Sequence, residues 1–139
     1  MMNPKSRRNK MKSDIKTRED LEFLLTEFYK IVPFDAEIGH HFDDVDLTAH
    51  LPIIVDFWEK VLFGKPVYFN NPLEIHQKLH EKFPLKSEHF ARWVEIFNAT
   101  IDNFFTGEMA QNAKFRAETI ARSLNNRINP ISIQKMPEI

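Results

Sequence analysis

Apolar residues along the chain recur at intervals of three and four, not in alternation, and this periodicity predicts helices from end to end. Leu21, Leu24, Leu25, Phe28, Tyr29 and Val32 form the first such stripe. Thr17 and Asp20 stand ahead of it at the spacing of a capping box, and Pro33 stops it, so a helix is predicted over 18–32. A short helical turn is expected over 35–42, before the acidic residues Asp43, Asp44 and Asp46. With Asp46 or Thr48 as N-cap, the next segment carries His50, Ile54, Phe57, Trp58, Val61 and Leu62 on one broad face. Pro52 is tolerated in its first turn, and Gly64 and Pro66 close it.

Asn71, Pro72 and Glu74 have the character of an N-cap, a first helical residue and a first-turn acid, opening a short helix with His76, Leu79 and His80 that ends before Pro84. Ser87 is expected to cap a long helix that turns Phe90, Trp93, Val94, Phe97, Ile101, Phe104 and Phe105 inward and stops at Gly107. A last helix over about 108–127 presents Met109, Ala113, Ile120, Ala121 and Leu124. No segment sustains the alternation of a strand, and glycines fall only between elements, so the fold class is all-α. The domain is expected over 18–127, with a basic disordered tail at 1–17 and a second tail at 128–139.

Composition narrows the function. The chain has 139 residues, no Cys, three Gly, six His and 13 Phe. It is long enough for one domain with a real core, and charges interrupt every stretch that could approach the roughly 20 apolar residues of a membrane span. The basic start has no apolar segment behind it and is not expected to be a secretory signal. The lack of Cys removes disulfides, thiolate metal sites and cysteine nucleophiles, and fits a reducing, cytoplasmic setting. Gly39, Gly64 and Gly107 assemble into no phosphate-binding loop, and no Ser lies in a nucleophile elbow. Seven basic residues against Asp14 in the first 18 leave the rest of the chain acidic. Such a basic tail is read as a solvated end in preference to a nucleic-acid arm.

Histidine and the polar-tipped aromatics carry the remaining chemistry. His76 and His80, four apart on a helix, share a face and could hold zinc if a third ligand approached, though no HExxH pattern supports that. His40, His41 and His89 are read as cap or surface residues without a role. Tyr29 follows Phe28 on the first stripe, His50 and Ile54 share a face one turn apart, and Trp93 lies on the inward stripe of the long helix. A buried Tyr hydroxyl or Trp indole N–H needs an acceptor. Either these are ordinary core residues, with His50 at a helix start, or a bound ligand is that acceptor.

Four strings in order resemble the truncated haemoglobins, most closely the third of their groups: FYKIV at 28–32, HLPIIVDFW at 50–58, NPLEIHQKL at 71–79 and HFARWVEIF at 89–97. The resemblance runs from about Leu21 to Leu124 and implies a two-over-two helical sandwich enclosing one haem b (iron protoporphyrin IX). It implies His76 as the proximal iron ligand, with His80 as its rival, and Tyr29, Trp93 and His50 as the residues that stabilise a distal ligand. Phe28, Phe42, Ile54, Phe57, Trp58, Leu79 and Phe90 are implied as haem pocket.

The function implied is reversible binding of dioxygen and other diatomic ligands (NO, CO), with NO-detoxifying (NO dioxygenase) or peroxidase-like redox activity as an enzymatic extension. A reductase that would keep the iron ferrous is implied as partner. Lys82, Lys86 and Arg92 are candidates to meet the haem propionates. The alternative is a haem-free, globin-like helical module that works by protein contact; against it, a pure packing module has no reason to turn three polar tips inward.

Overall fold

A computed structural model describes residues 12–66 and 71–130 of the chain. The basic run through Lys10 and the C-terminal tail from 131 onward lie outside the described residues. Five α-helices follow one another: α1 (Arg18–Ile31), α2 (Leu47–Phe63), α3 (Pro72–Lys82), α4 (Ser87–Phe104) and α5 (Glu108–Ile128). Two short 3-10 turns, Val32–Phe34 and Gly39–Phe42, fill the connection between α1 and α2. Among the described residues there is no strand; an isolated bridge joins Ser13 to Phe105.

The helix starts follow from local chemistry. Thr17 and Asp20 form the expected capping box, and Asp46 accepts from the Ala49 N–H at 3.2 Å to open α2. Asn71 Oδ1 accepts from the N–H groups of Leu73 and Glu74, with Pro72 as first helical residue. These side chains satisfy donors that a helix leaves without partners at its start. Gly64, at φ 70°, ends α2 in the left-handed conformation that glycine adopts without strain.

One cap differs from expectation. Lys86, not Ser87, is the N-cap of α4, because His89 Nδ1 accepts from the Lys86 N–H at 3.0 Å and takes the capping role. Ser87 is already helical, and its hydroxyl donates to Asn125 Oδ1 on α5 at 3.2 Å.

Helices α1 and α2 pack on each other, α4 and α5 do likewise, and the two pairs are stacked through α1 on α4 and α2 on α5. Two pairs stacked in this way make the two-over-two sandwich expected for the domain. Leu21, Leu24, Leu25 and Phe28 of α1, Val55 and Trp58 of α2, Phe97 and Ile101 of α4 and Ala110, Ala113 and Ala117 of α5 are buried in one core. The alanine stripe lets α5 approach closely. Arg18 ties α1 to α2 through Asp56 at 2.7 Å and Glu59 at 2.5 Å.

The ordered domain begins before residue 18. Ile15 is 2% exposed, and the Asp14 carboxylate accepts from the N–H groups of Met109 at 2.9 Å and Ala110 at 2.8 Å. Residues 12–17 are therefore a docked segment that caps α5 from a distance, and the expected tail boundary at 17 moves back accordingly. A Cβ on Gly107 would fall 2.4 Å from Asp14 Cγ, so the cap needs that glycine. Phe105 lies just outside α4 yet is 7% exposed, held by the same docked segment. At the other end α5 runs through Ile128, one residue beyond expectation, and Asn129 donates to the Leu85 carbonyl at 2.7 Å.

Candidate functional site

Between the helical pairs and α3 lies a cavity of about 290 Å³. Tyr29 of α1, Phe42 of the second 3-10 turn, and His50, Ile54, Phe57 and Trp58 of α2 line it, as do His76 and Leu79 of α3 and Phe90 and Trp93 of α4. Of the implied iron ligand, distal residues and haem-pocket residues, all but Phe28 line this one cavity; the rival ligand His80 and the propionate candidates Lys82, Lys86 and Arg92 do not.

Phe28 is fully buried and stands one layer behind. Its ring meets those of Tyr29, Trp93 and Phe97 edge-on at centroid distances of 5.0, 5.7 and 5.3 Å. Phe97 is itself sandwiched between Trp58 (4.9 Å, 21° between planes) and Trp93 (5.1 Å, 8°). Edge and face contacts of this kind each add to the area the rings bury. They fix the rotamers of Tyr29 and Trp93 from behind, and Phe42 meets Tyr29 edge-on at 5.8 Å.

Burial alone pushes the Tyr29 phenol well above its ordinary range, with no hydrogen bond or charge acting on it. Its hydroxyl is therefore protonated at any physiological pH, on a residue that lines the cavity. Trp93 lines the same cavity, and its indole nitrogen can only donate. His50 is exposed and sits at the rim.

His76 has the geometry of a metal-binding imidazole. Its Nδ1 lies 2.6 Å from the Pro72 carbonyl, one turn back on α3. A carbonyl only accepts, so Nδ1 carries the proton and Nε2 keeps its lone pair. Burial holds the ring below the usual imidazole range, against the opposing pull of the Pro72 carbonyl, and so keeps it neutral. His80 does not line the cavity. Its Nδ1 accepts from the Leu85 N–H at 2.8 Å, so that lone pair is spent on closing the loop after α3.

Among the described residues no group of three His, Asp or Glu could hold a metal ion. The zinc reading of His76 with His80 therefore lacks ligands. An ion on His76 would need its other ligands from a carrier that fits an apolar cavity, and a porphyrin is such a carrier. Helix α3 supports this fit: it has no buried residue, and Ile75, 47% exposed, His76 and Leu79 turn the apolar side of an amphipathic helix to the cavity.

The propionate candidates are differently placed. Arg92 is bound to Asp35, with Nε at 3.0 Å and Nη2 at 2.7 Å, and to Glu95. Its guanidinium, and next the N–H groups of Glu37 and Ile38, hold the Asp35 carboxyl below the usual range despite burial. Arg92 thereby anchors the connection between α1 and α2 to α4. Lys82 pairs with Asp44 at 2.5 Å, and Lys86 is exposed at the start of α4.

Sequence reasoning missed several walls. Leu85, Ile38, Val45, Ile53 and Ile75 line the cavity, and so do His41 and His89, which were expected at the surface or in caps. His41 is 2% exposed, a correction caused by the 3-10 turn folding under the loop after α3. His89 is both a cap and a wall. His40 is exposed, as expected. Ile75 could have been found as the neighbour of His76 on an amphipathic helix; nothing local marks His41.

Comparison with models of protein families finds no match. Group 3 truncated hemoglobin ctb of Campylobacter jejuni is 27% identical over 124 residues, which cover 85% of this chain and 95% of that protein. A crystal structure of group III truncated hemoglobin from Campylobacter jejuni superposes with a TM-score of 0.76 at 27% identity, covering 86% of this chain and 97% of that one. In sequence and in fold, the chain is similar to group III truncated haemoglobins.

Proposed function

We infer that this chain is a group III truncated haemoglobin, a globin-type haem protein that binds dioxygen and other diatomic ligands reversibly. The observation that carries the reading is His76, whose Nε2 lone pair is left free by the Nδ1 contact to Pro72 on a helix that faces an apolar cavity. Haem b, when bound, would supply an iron able to bind a diatomic ligand reversibly. His76 would hold that iron, and the Pro72 carbonyl would fix the orientation and basicity of its ring.

Tyr29 and Trp93 would donate to a diatomic ligand from the wall that Phe28 and Phe97 stiffen. Hydrogen bonds to a partly charged acceptor contribute about 1.5–3 kcal/mol each. High oxygen affinity would follow from two such donors on a wall held by packed aromatic rings. His50, at the rim, is placed to control entry or to add a donor. Phe42, Ile54, Phe57, Leu79 and Phe90 would exclude water from the ring faces. NO detoxification or peroxidase-like turnover would use the same two donors, with electrons from a reductase outside the chain. Among the described residues no helix is long and apolar enough to cross a membrane; a cytoplasmic location is part of the same proposal.

The test is titration of the purified protein with haemin, followed by visible spectra of the ferric, ferrous and carbon monoxide forms. Saturable uptake with the spectrum of imidazole ligation is expected. A protein that stays colourless overturns the reading and leaves the haem-free interaction module.

A further inference from the structure

His41 is a buried imidazole between two carbonyls. Its Nδ1 lies 3.2 Å from the Ile38 carbonyl of its own turn, and its Nε2 lies 3.0 Å from the Pro84 carbonyl, in the loop that follows α3. Both partners only accept. A neutral imidazole has one N–H and can serve one of them, leaving a lone pair facing the other; only the doubly protonated ring donates to both. The ring therefore makes one bridge or two according to its proton.

The ring is packed among other aromatic side chains. His40 of the same turn lies against it, tilted by 38°, at a centroid distance of 4.0 Å, and His89 of α4 meets it edge-on at 4.7 Å. Phe83, from the end of α3, lies edge-on at 6.3 Å. His89 already accepts from the Lys86 N–H, and burial, followed by the proximity of His41, holds it below the usual imidazole range. Lys86 and Glu88 bear on His89 with opposite signs. The other nearby charges are engaged elsewhere, Lys82 with Asp44 and Arg92 with Asp35 and Glu95. Among the described residues no carboxylate pairs with His41.

The loop that His41 touches is the one that closes α3. Phe83 donates its N–H to the Leu79 carbonyl at 2.8 Å, Leu85 donates to His80 Nδ1 at 2.8 Å, and Asn129 donates to the Leu85 carbonyl. His80 is one turn from His76. A pull on Pro84 is thus relayed to α3 through a short run of hydrogen bonds. By contrast, α3 has no buried residue of its own to resist it.

We propose that His41 is a positioning residue for the helix that carries His76, joining the turn after α1 to the loop after α3 by two hydrogen bonds when protonated and by one when neutral. The proposal rests on the reading of His76 as the iron ligand only for its effect on the iron; the bridge itself does not depend on haem.

Nuclear magnetic resonance of the full chain across the imidazole range tests it. The amide nitrogens of Gly39 and Leu85 follow the two accepting carbonyls and report their hydrogen bonds. At least one is expected to shift in a single step that coincides with titration of the His41 ring nitrogens. The step should vanish in His41→Gln and persist in His40→Gln. In the haem-loaded ferrous protein the iron–histidine stretching band should move with the same midpoint in the wild type and stand still in His41→Gln.

Amide shifts that ignore the His41 titration, or a ring that does not titrate in the folded protein, overturn the bridge. A stretching band that does not follow the amide step overturns the positioning role. If His41→Gln does not fold, the wild-type coincidence of ring, amide and band decides the matter. If the protein takes up no haem, the proposed function fails, while the amide step still judges the bridge.

Discussion

Phe97 lies between two indole rings with none of its surface exposed, whereas α3, across the cavity, has no buried residue in its length. The wall that presents Tyr29 and Trp93 is stiff because aromatic rings from α1, α2 and α4 fill each other's surfaces, whatever occupies the cavity. Helix α3 is held differently: by the Asn71 cap at one end and, at the other, by the hydrogen bonds of Phe83, Leu85 and Asn129. An isolated helix of 11 residues is marginal in water. The difference teaches a division of labour. On the proposed function, donors that discriminate a small ligand would stand on packed core, and the helix meant to hold the cofactor would leave its apolar side to be covered by it, so that cofactor binding would add to stability.

The largest test of that division is removal of the imidazole. His76→Ala should abolish histidine-ligated haem spectra, while His80→Ala keeps them, since the His80 lone pair is already bound to the Leu85 N–H. The reverse pattern would move the ligand by one turn. On the opposite wall, Phe97→Ala should lower stability by about 3–5 kcal/mol in urea unfolding, as expected for a large aromatic fully enclosed by protein. Leu79→Ala in the haem-free protein should cost clearly less, because Leu79 borders the cavity. Equal costs would mean that α3 is as firmly packed as α4.

A finer test separates donors from packing. Tyr29→Phe keeps the ring and removes only the O–H donor, whereas Trp93→Phe removes the N–H donor and also shrinks the side chain. Each should speed oxygen dissociation by about tenfold, the equivalent of about 1.4 kcal/mol. Melting temperature should change little for Tyr29→Phe, whose hydroxyl has no hydrogen bond to the protein. Unchanged dissociation in both variants would remove the donor argument and leave the two residues as structural.

The sequence made the stiff wall and the local caps legible, and left the joints hidden. Thr17, Asp46 and Asn71 act within three residues of themselves, so spacing reveals them. The helical stripes fall inward because periodicity and burial follow the same geometry. Phe28 lies one layer behind the cavity wall, a depth its stripe cannot show, because periodicity tells which face is apolar and not how deep a ring lies. Asp14 on the start of α5 and His41 on Pro84 join residues about 95 and 43 positions apart, and no local pattern carries such contacts. The change of cap from Ser87 to Lys86 is of the same kind on a small scale: a histidine three residues on took a role that composition assigns to serine.

Acid should separate the two walls in order. His76 in the haem-free fold is held neutral by burial, so its folded value lies below its unfolded one. As pH falls through the usual imidazole range, near 6.5, the unfolded chain takes up a proton before the folded chain does, and stability declines. Asp35 has the opposite chemistry: its folded value is depressed by Arg92, so its contribution is whole above the usual carboxylate range and is lost only as pH falls through that depressed value. The wall carrying the imidazole therefore weakens first, and the Asp35 anchor of the turn after α1 follows at lower pH. Urea midpoints of the haem-free protein should show a gap between wild type and His76→Ala that opens in the imidazole range. The gap between wild type and Asp35→Asn should be constant through that range and close only in stronger acid. If both gaps change together, the two walls titrate as one unit and the contrast between them is not one of electrostatics.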